Sequence, residues 1–243
     1  KMVLDYLKSG NYDVVIHGAT YDAAPKDSPK YPALVIENNL KMFYHLSRCN
    51  NYFGKLLYFG SGAEFSRPHW KPKMEEGYFD KNVPSDQYGL SKYIMTKYTL
   101  ESKNIYNLRL FGVHGELDDW RYRFISNALC HAIFGQPISI NQNAIFDFLY
   151  IYDLSQIVKW FIENDPLYKV YNVCSGMAYD YINLANEIVE ISEKPLEVKI
   201  EKEGCRTEYS GNNNLLLNEI SGIEFTSMSE SLKKMYSYYL SQK

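Results

Sequence analysis

The sequence has few cysteines, and no two of them are spaced as a metal or redox site would require. The four are Cys49, Cys130, Cys174 and Cys205. Because no C-x-x-C pair occurs, zinc and thioredoxin-type chemistry have no support. Four separate reduced thiols are typical of a cytoplasmic protein, and we expect that location.

Long apolar runs and an excess of basic residues are also missing. No apolar run approaches the roughly 20 residues that a membrane-spanning helix needs, and no secretory signal is recognisable. The chain has 26 Lys and Arg against 29 Asp and Glu, whereas dedicated nucleic-acid binders are usually basic. We therefore expect neither a membrane nor a nucleic acid as partner. A small anionic ligand stays compatible, because helix N-termini and single arginines hold phosphate.

What is present is a globular composition with alternating strand and helix patterns. Of 243 residues, 46% are hydrophobic and 23% charged, which suits one large α/β domain or one domain with a smaller lobe. Apolar runs predict strands over 13–17, 55–59, 105–111, 137–140, 146–150 and 169–173. Helical patterns cover 1–9, 33–50, 88–103, 121–134, 153–164, 180–193 and 228–241, and prolines predict loops over 21–32 and 66–85. This alternation predicts a parallel sheet with helices on both faces.

Three predicted strands end in polar or glycine-rich sequence. These ends are His17-Gly18-Ala19-Thr20, Gly60-Ser61-Gly62-Ala63 and Phe111-Gly112-Val113-His114-Gly115. In open α/β sheets, ligands bind outside the carboxyl ends of the strands. The three segments therefore predict one ligand cleft.

The sharpest local pattern is Tyr88-Gly-Leu-Ser-Lys92. An i,i+4 spacing places Tyr88 and Lys92 on one helix face. A phenol with a pKa near 10 is a poor proton carrier at neutral pH, and a neighbouring ammonium lowers that pKa. The pair therefore fits proton transfer.

Spacing alone does not select this pair. Tyr93/Lys97 and Tyr239/Lys243 share it, and a solvated pair on a helix surface is the plain alternative. Tyr88 is distinguished by its context, because it follows a proline-rich loop and, further upstream, the strand-end residue Ser61.

In several ordered segments the chain resembles the extended short-chain dehydrogenase/reductases, a group of nucleotide-sugar epimerases, dehydratases and reductases. The matching segments are Asp13-Val-Val-Ile-His17-Gly18-Ala19, Glu37-Asn38-Asn39-Leu40, Gly60-Ser61-Gly62-Ala63-Glu64-Phe65, Tyr88-x-x-Ser91-Lys92, Leu108-Arg109-Leu110-Phe111 and Phe146-Asp147-Phe148-Leu149-Tyr150-Ile151-Tyr152-Asp153-Leu154. The resemblance implies a Rossmann-like, doubly wound parallel sheet with a smaller C-terminal lobe. It divides the chain into a partial dinucleotide-binding domain over 1–115 and a mainly substrate-binding lobe over 116–243, with about 146–174 returning to the sheet.

The resemblance also implies roles for individual residues. Tyr88 would be the acid/base, and Lys92 would lower its pKa and hold the ribose of NAD or NADP. Ser61 would bind the substrate oxygen, with Gly62 beside it. Ala19 and Asn39 would lie along the cofactor. For Arg109 the resemblance to a functional residue of the family is weaker.

Departures from the family pattern narrow the reaction. The first predicted strand resembles the family's fourth, and no G-x-x-G-x-x-G turn occurs in the 243 residues. We therefore expect about three β-α units to be missing, or dinucleotide binding to differ from the usual mode. Related 4,6-dehydratases carry Asp-Glu, and related double epimerases a Cys, at positions that here are Gly62 and Ala63. This leaves a 4-keto reductase or a 4-epimerase, acting on a nucleotide-linked hexose.

Substrate recognition is the least constrained part. Gly112 and Phe146 stand where many relatives carry Asn and Arg, so candidates for the substrate diphosphate are Arg121, Arg123 and Arg206. The resemblance implies a homodimer formed through the helices at 33–50 and 88–103, with Tyr93, Met95 and Tyr98 as surface candidates. A non-catalytic binding or regulatory protein on the same fold is the alternative, supported by the absent glycine-rich turn.

Overall fold

The computed structural model describes residues 2–22 and 30–242, so most of the predicted 21–32 loop lies outside the described residues. The described strands are β1 (Tyr12–His17), β2 (Phe53–Ser61), β3 (Ile105–Leu110), β4 (Gly112–His114), β5 (Ile138–Asn143), β6 (Ile145–Tyr150), β7 (Val170–Val173), β8 (Ala178–Asp180) and β9 (Val198–Cys205). The described helices are α1 (Met2–Gly10), α2 (Val35–Ser47), α3 (Gln87–Glu101), α4 (Phe124–Ile133), α5 (Ile151–Glu163), α6 (Tyr181–Ser192), α7 (Asn214–Glu219) and α8 (Met228–Ser241).

The main sheet is parallel, with the order β1-β2-β3-β7. Its strands are short apolar runs because both faces of a parallel sheet are covered. Ser61 at the end of β2 pairs with Leu110 at the end of β3. His17 at the end of β1 pairs with Tyr58. All three strand ends therefore meet at one edge of the sheet, as the sequence predicted.

Alternate residues of β2 enter two different cores. Leu56 and Tyr58 pack with Phe43 of α2 and Met95 of α3 on one face. Leu57 packs on the other face, in a cluster that includes side chains of α5 and α7. This alternation follows from the two-residue period of a strand. The expected α/β class with a doubly wound, Rossmann-like sheet is confirmed.

The remaining elements form two small sheets and a third core. β4, β6 and β8 make one sheet and β5 and β9 another, while α4, α6 and α8 share an apolar cluster that includes Leu129, Ile188 and Leu232. The sequence patterns did not predict β4, β8, β9 or α7. These elements are short or exposed, and β9 (Val-Lys-Ile-Glu-Lys-Glu-Gly-Cys) lies almost entirely at the surface, so little hydrophobic patterning marks it.

Several predicted boundaries were wrong by a few residues. α4 begins at Phe124 instead of 121, because Arg123 is extended (φ −99°, ψ 126°). α5 begins at Ile151, so Asp153 lies in its first turn. The helix expected over 33–50 covers only 35–47. None of the described helices is long and apolar enough to cross a membrane.

All three residues expected to form a dimer surface make contacts within the chain. Met95 is only 1% exposed and belongs to the core. Tyr98 packs edge-on against Phe43 and Tyr44 at centroid distances of 5.8 and 5.3 Å. Tyr93 donates a hydrogen bond to Asp80. The homodimer itself stays a prediction.

Met95 and Leu100 test the core assignment on a single helix. Because Met95 is 1% and Leu100 44% exposed, Met95→Ala should lower the free energy of unfolding by about 2–5 kcal/mol. Leu100→Ala should change it by no more than about 0.5 kcal/mol. Urea denaturation followed by circular dichroism measures both, and equal effects would contradict the packing described.

Candidate active site

Ser61 ends β2 and begins the turn that carries the site. Its hydroxyl accepts a hydrogen bond from the amide of Ala63 at 3.2 Å, capping a single 3-10 turn over Gly62–Phe65. Ser61 is largely buried, with 8% exposure. Strand and cap together fix the hydroxyl at the carboxyl edge of the sheet.

Tyr88 and Lys92 lie in the first turns of α3. The helix is capped by Asp86, whose carboxylate accepts a hydrogen bond from the amide of Gly89 at 2.9 Å. Lys92 is 3% exposed. Its Nζ donates to the carbonyl of Phe59 at 2.9 Å and lies 5.6 Å from the centroid of the Tyr88 ring. The two side chains therefore share one face, as their spacing predicted.

Gly89 lets α3 approach the turn after β2. A Cβ at this position would lie 2.7 Å from the carbonyl oxygen of Ala63 and 2.9 Å from Cβ of Pro84. Real Cβ atoms do not come so close to backbone oxygens. A glycine between Tyr88 and Lys92 is thus what brings the helix against the Ser61 turn.

Ser61 acts on two tyrosines of the site. Its side chain lowers the pKa of Tyr88. The Ser61 Oγ also lies 3.4 Å from the hydroxyl of Tyr209. Sequence reasoning missed Tyr209, which lies between β9 and α7 and carries no motif.

The pKa of Tyr88 is raised, contrary to the expectation that Lys92 would lower it. Burial of the phenol is the largest cause, and Asp22 adds to it, while Ser61, Arg123 and Arg67 oppose it. Burial lowers the pKa of Lys92 itself to about 8. Desolvation disfavours the charged form of each group and is the largest influence on both pKa values.

Aromatic rings form the wall behind Tyr209. The Trp70 ring lies 4.1 Å from the Tyr209 ring, and Phe111 and Phe146 lie 5.0 and 5.2 Å from it, between ring centroids. Arg67 stacks over Trp70 at 5.1 Å and lies 3.6 Å from Asp86. Arg67 was also not predicted from the sequence as a residue of the site. Its charge lowers the pKa of both Tyr88 and Tyr209.

The three candidate arginines for the diphosphate divide into two groups. Arg123 acts electrostatically on Tyr88 and Tyr181, and Arg206 acts on Tyr181. Arg121 instead makes two hydrogen bonds of 3.0 Å to the carboxylate of Asp119. Arg123 also has a neighbouring carboxylate, with its Nε 3.8 Å from Asp118 Oδ1. Arg123 and Arg206 are therefore the candidates whose charge acts on the tyrosines, while Arg121 is bound to Asp119.

The family model for the NAD dependent epimerase/dehydratase family matches residues 2–174 of the chain. The chain belongs to this family.

Solved structures share the fold over nearly the whole chain. UDP-glucose 4-epimerase of Thermotoga maritima is 19% identical with a TM-score of 0.83, covering 99% of this chain and 81% of that one. GDP-mannoheptose C4 reductase of Campylobacter jejuni, solved with NADP, is 17% identical with a TM-score of 0.81, covering 98% and 84%. dTDP-glucose 4,6-dehydratase of Bacillus anthracis, solved with NAD, is 13% identical with a TM-score of 0.81, covering 98% and 76%.

The residues expected to lie along the family's cofactor differ in how free they are. Ala19 is exposed just beyond β1. Asn39 is 2% exposed, and its amide is occupied: Oδ1 accepts from the amide of Tyr21 at 2.7 Å, while Nδ2 donates to Ser91 Oγ at 3.2 Å. Asn39 therefore fastens the loop after β1 to α3, and its contact with the cofactor stays a prediction.

The nicotinamide end of an NAD(P) site fits the residues present. An ammonium has three donors, and within the described residues Lys92 uses one of them, on Phe59. Tyr88 is half-buried, with part of its surface open. His17 is a packed histidine, stacked on Tyr58 at 5.8 Å, and burial lowers its pKa to about 4.

Two residues of the family segments are structural. Arg109 is 1% exposed and pairs with Glu64, so it does not face the cleft. Asp147 accepts hydrogen bonds of 2.8 Å from the amides of Ser175 and Gly176. No cluster of metal-ligating side chains occurs within the described parts of the chain.

Gly89 and Gly77 offer a matched test of the contact between α3 and the Ser61 turn. A Cβ at Gly77 meets nothing within 4 Å, so Gly77→Ala should change the free energy of unfolding by less than about 0.5 kcal/mol. Gly89→Ala should lower it by about 1–3 kcal/mol through overpacking, although alanine is the better helix former. Thermal denaturation measures both, and a stabilising Gly89→Ala would refute the close approach.

Proposed function

We propose that this protein is an NAD(P)-dependent oxidoreductase or epimerase that acts at C4 of a nucleotide-linked hexose. The observation that carries the proposal is the convergence of the Ser61 hydroxyl, the Tyr88 phenol and the Lys92 ammonium at the carboxyl edge of the sheet. Family membership supports the cofactor, since the family is NAD-dependent. A nucleotide-sugar substrate has support from a structural neighbour solved with UDP-glucose.

In this proposal Ser61, Tyr88 and Lys92 have different roles in the reaction. When bound, the nicotinamide accepts or supplies the hydride at the sugar carbon. Tyr88 gives a proton to, or takes it from, the oxygen on that carbon. Ser61 hydrogen-bonds the same oxygen and orients it. Lys92 holds the ribose through its remaining donors and favours the phenolate while proton transfer occurs.

The surroundings of Ser61 argue against water elimination. Gly62 has no carboxylate, and a Cβ there would lie 2.7 Å from the Phe111 ring and 2.8 Å from the Tyr209 hydroxyl. The nearby Glu64 is fully buried and paired with Arg109. Gly62 and Ala63, the two positions at which related dehydratases carry Asp-Glu, supply no acid. This supports a 4-keto reductase or a 4-epimerase.

Arg123 and Arg206 are the proposed contacts of the substrate diphosphate. Both act on Tyr181, whose ring stacks on Phe124 at 4.1 Å with an interplanar angle of 1°. Arg121 joins them only by leaving Asp119. Arginine is suited to this task because its fork of donors matches phosphate oxygens.

Tyr88→Phe tests the acid/base role in the full-length protein. It should lower kcat by about 10²–10⁴, and Ser61→Ala should lower it less. Tyr93→Phe is the matched control, because Tyr93 lies five residues further along α3 and donates to Asp80.

The assay supplies UDP-glucose or dTDP-4-keto-6-deoxyglucose with NADPH or NAD. Stoichiometric loss of absorbance at 340 nm identifies a reductase, and interconverted sugars without net redox change identify an epimerase. Full activity of Tyr88→Phe would sink the acid/base role of Tyr88, whereas absence of turnover in the wild type would favour a binding protein on this fold.

Tyr209→Phe tests the third hydroxyl. Removing one hydrogen-bonding group near Ser61 should lower kcat/KM about 2- to 10-fold, the equivalent of about 0.5–1.5 kcal/mol. The rings of Trp70 and Phe111 should keep the phenyl group in place. Tyr179→Phe serves as control, because among the described residues the Tyr179 hydroxyl hydrogen-bonds only to Met177. This variant should leave kcat/KM unchanged. Equal values for both variants would remove Tyr209 from the site.

A further inference from the structure

The turn after Ser61 contains a carboxylate that the proposed chemistry does not use. Glu64 lies three residues after Ser61 and is 0% exposed. One of its oxygens accepts a hydrogen bond from Nε of Arg109, and the other accepts one from the hydroxyl of Thr96 at 2.8 Å. Thr96 lies four residues after Lys92, one turn further along the same face of α3.

Glu64 is the centre of a polar network that crosses the molecule beneath the site. The hydroxyl of Thr96 accepts a hydrogen bond from the side-chain amide of Asn107, on β3, at 2.7 Å. Arg109, also on β3, donates to Asn172 on β7 at 3.0 Å. Both charged members are almost completely buried. The network therefore joins the Ser61 turn, the helix of Tyr88 and Lys92, and two strands of the sheet.

The charge of Glu64 also reaches Lys92. Burial lowers the pKa of Lys92 to about 8, and Glu64 is the largest opposing influence, followed by Asp22. The other polar groups facing Lys92 are His17 of β1, Tyr58 of β2 and Tyr88 of α3. None of these three supplies a negative charge at neutral pH, because the histidine is neutral and the phenols are protonated.

Glu64 stays ionised because of its partner. Burial raises the pKa of Glu64, while Arg109 and Thr96 oppose that rise. A guanidinium remains protonated in proteins, so a neutral Glu64 would leave the buried Arg109 without a counter-charge. The ionised pair is therefore the form in which neither buried charge stands alone.

We propose that Glu64 is a positioning residue of the site: its buried carboxylate fastens the Ser61 turn to α3 through Thr96, one helical turn beyond Lys92, and supplies the negative charge that faces the Lys92 ammonium. The inference rests on the proposed function for its catalytic meaning, because a protonated Lys92 is what holds the ribose and supports the phenolate of Tyr88. The charge of Lys92, however, can be measured without substrate or cofactor.

The test follows Lys92 directly by NMR. Protein labelled with lysine carrying ¹³C at the ε position is titrated, and the Lys92 resonance is assigned with Lys92→Arg. In the wild type the midpoint should lie near pH 8. In Glu64→Gln it should move to lower pH by more than the fitting error. Glu101→Gln is the matched control, since Glu101 ends the same helix at the surface, and it should leave the midpoint unchanged.

A second readout separates positioning from folding. In the full-length enzyme, Glu64→Gln should lower kcat with little change in the KM of the sugar substrate. As the pH is raised above neutrality, the variant should lose activity at a lower pH than the wild type. If turnover is absent in every protein but the midpoint of Lys92 moves, the proposed function fails and the role of Glu64 stands. If turnover is present and the midpoint does not move, the role of Glu64 fails alone.

The single variant leaves Arg109 unpaired and can fail to fold for that reason. Glu64→Gln combined with Arg109→Gln removes both charges and keeps hydrogen-bonding groups at both positions. The Lys92 midpoint should fall in this double variant too, because Arg109 is not among the groups that act on Lys92. An unmoved midpoint in a folded variant would overturn the proposal. So would the failure of both variants to fold, which would assign the pair to the fold alone.

Discussion

The burial of one ammonium group is the constraint from which the site is built. Lys92 is 3% exposed, and an isolated buried charge is among the most costly features a fold can contain. The chain offsets that cost with the Phe59 carbonyl, the face of the Tyr58 ring at 4.9 Å and the charge of Glu64. Each of these comes from β2 or the turn that follows it, so α3 has to lie close to that turn. Gly89 makes the approach possible.

The parts of the site that the sequence predicted are those with a local signature. Ser61 follows an apolar run that ends in glycines, and Tyr88 and Lys92 have the spacing of one helix face. Each of these patterns depends on a single element, and the edge of a parallel sheet brings the elements together without further instruction. The four strands of the main sheet were predictable for the same reason, since each buried strand is a compact apolar run.

The parts that were missed depend on contacts between distant segments. Tyr209 reaches Ser61 because its backbone pairs with β6, where its amide donates to Ile145 and its carbonyl accepts from Asp147. No periodicity or motif in the sequence marks that pairing. Glu64 looks like an ordinary surface residue of a turn until Arg109 and Thr96 are placed around it. The hydrogen bonds that occupy Asn39 and Arg121 were likewise not visible from spacing, because they depend on groups that carry no motif.

The electrostatics of Tyr88 fit a reaction in which the phenol first acts as a donor. Burial raises its pKa, so at neutral pH it carries its proton, the state required to protonate a carbonyl oxygen during reduction. Removing a proton from a hydroxyl requires the opposite bias, and a positive charge next to the phenol supplies it. Lys92 carries such a charge, as do Arg67 and Arg123, and its own pKa of about 8 lies close enough to neutrality to make that charge sensitive to its surroundings. How readily Tyr88 gives or takes its proton therefore depends on the charge held at Lys92, which links the chemistry at the cleft to the buried Glu64–Arg109 pair beneath it.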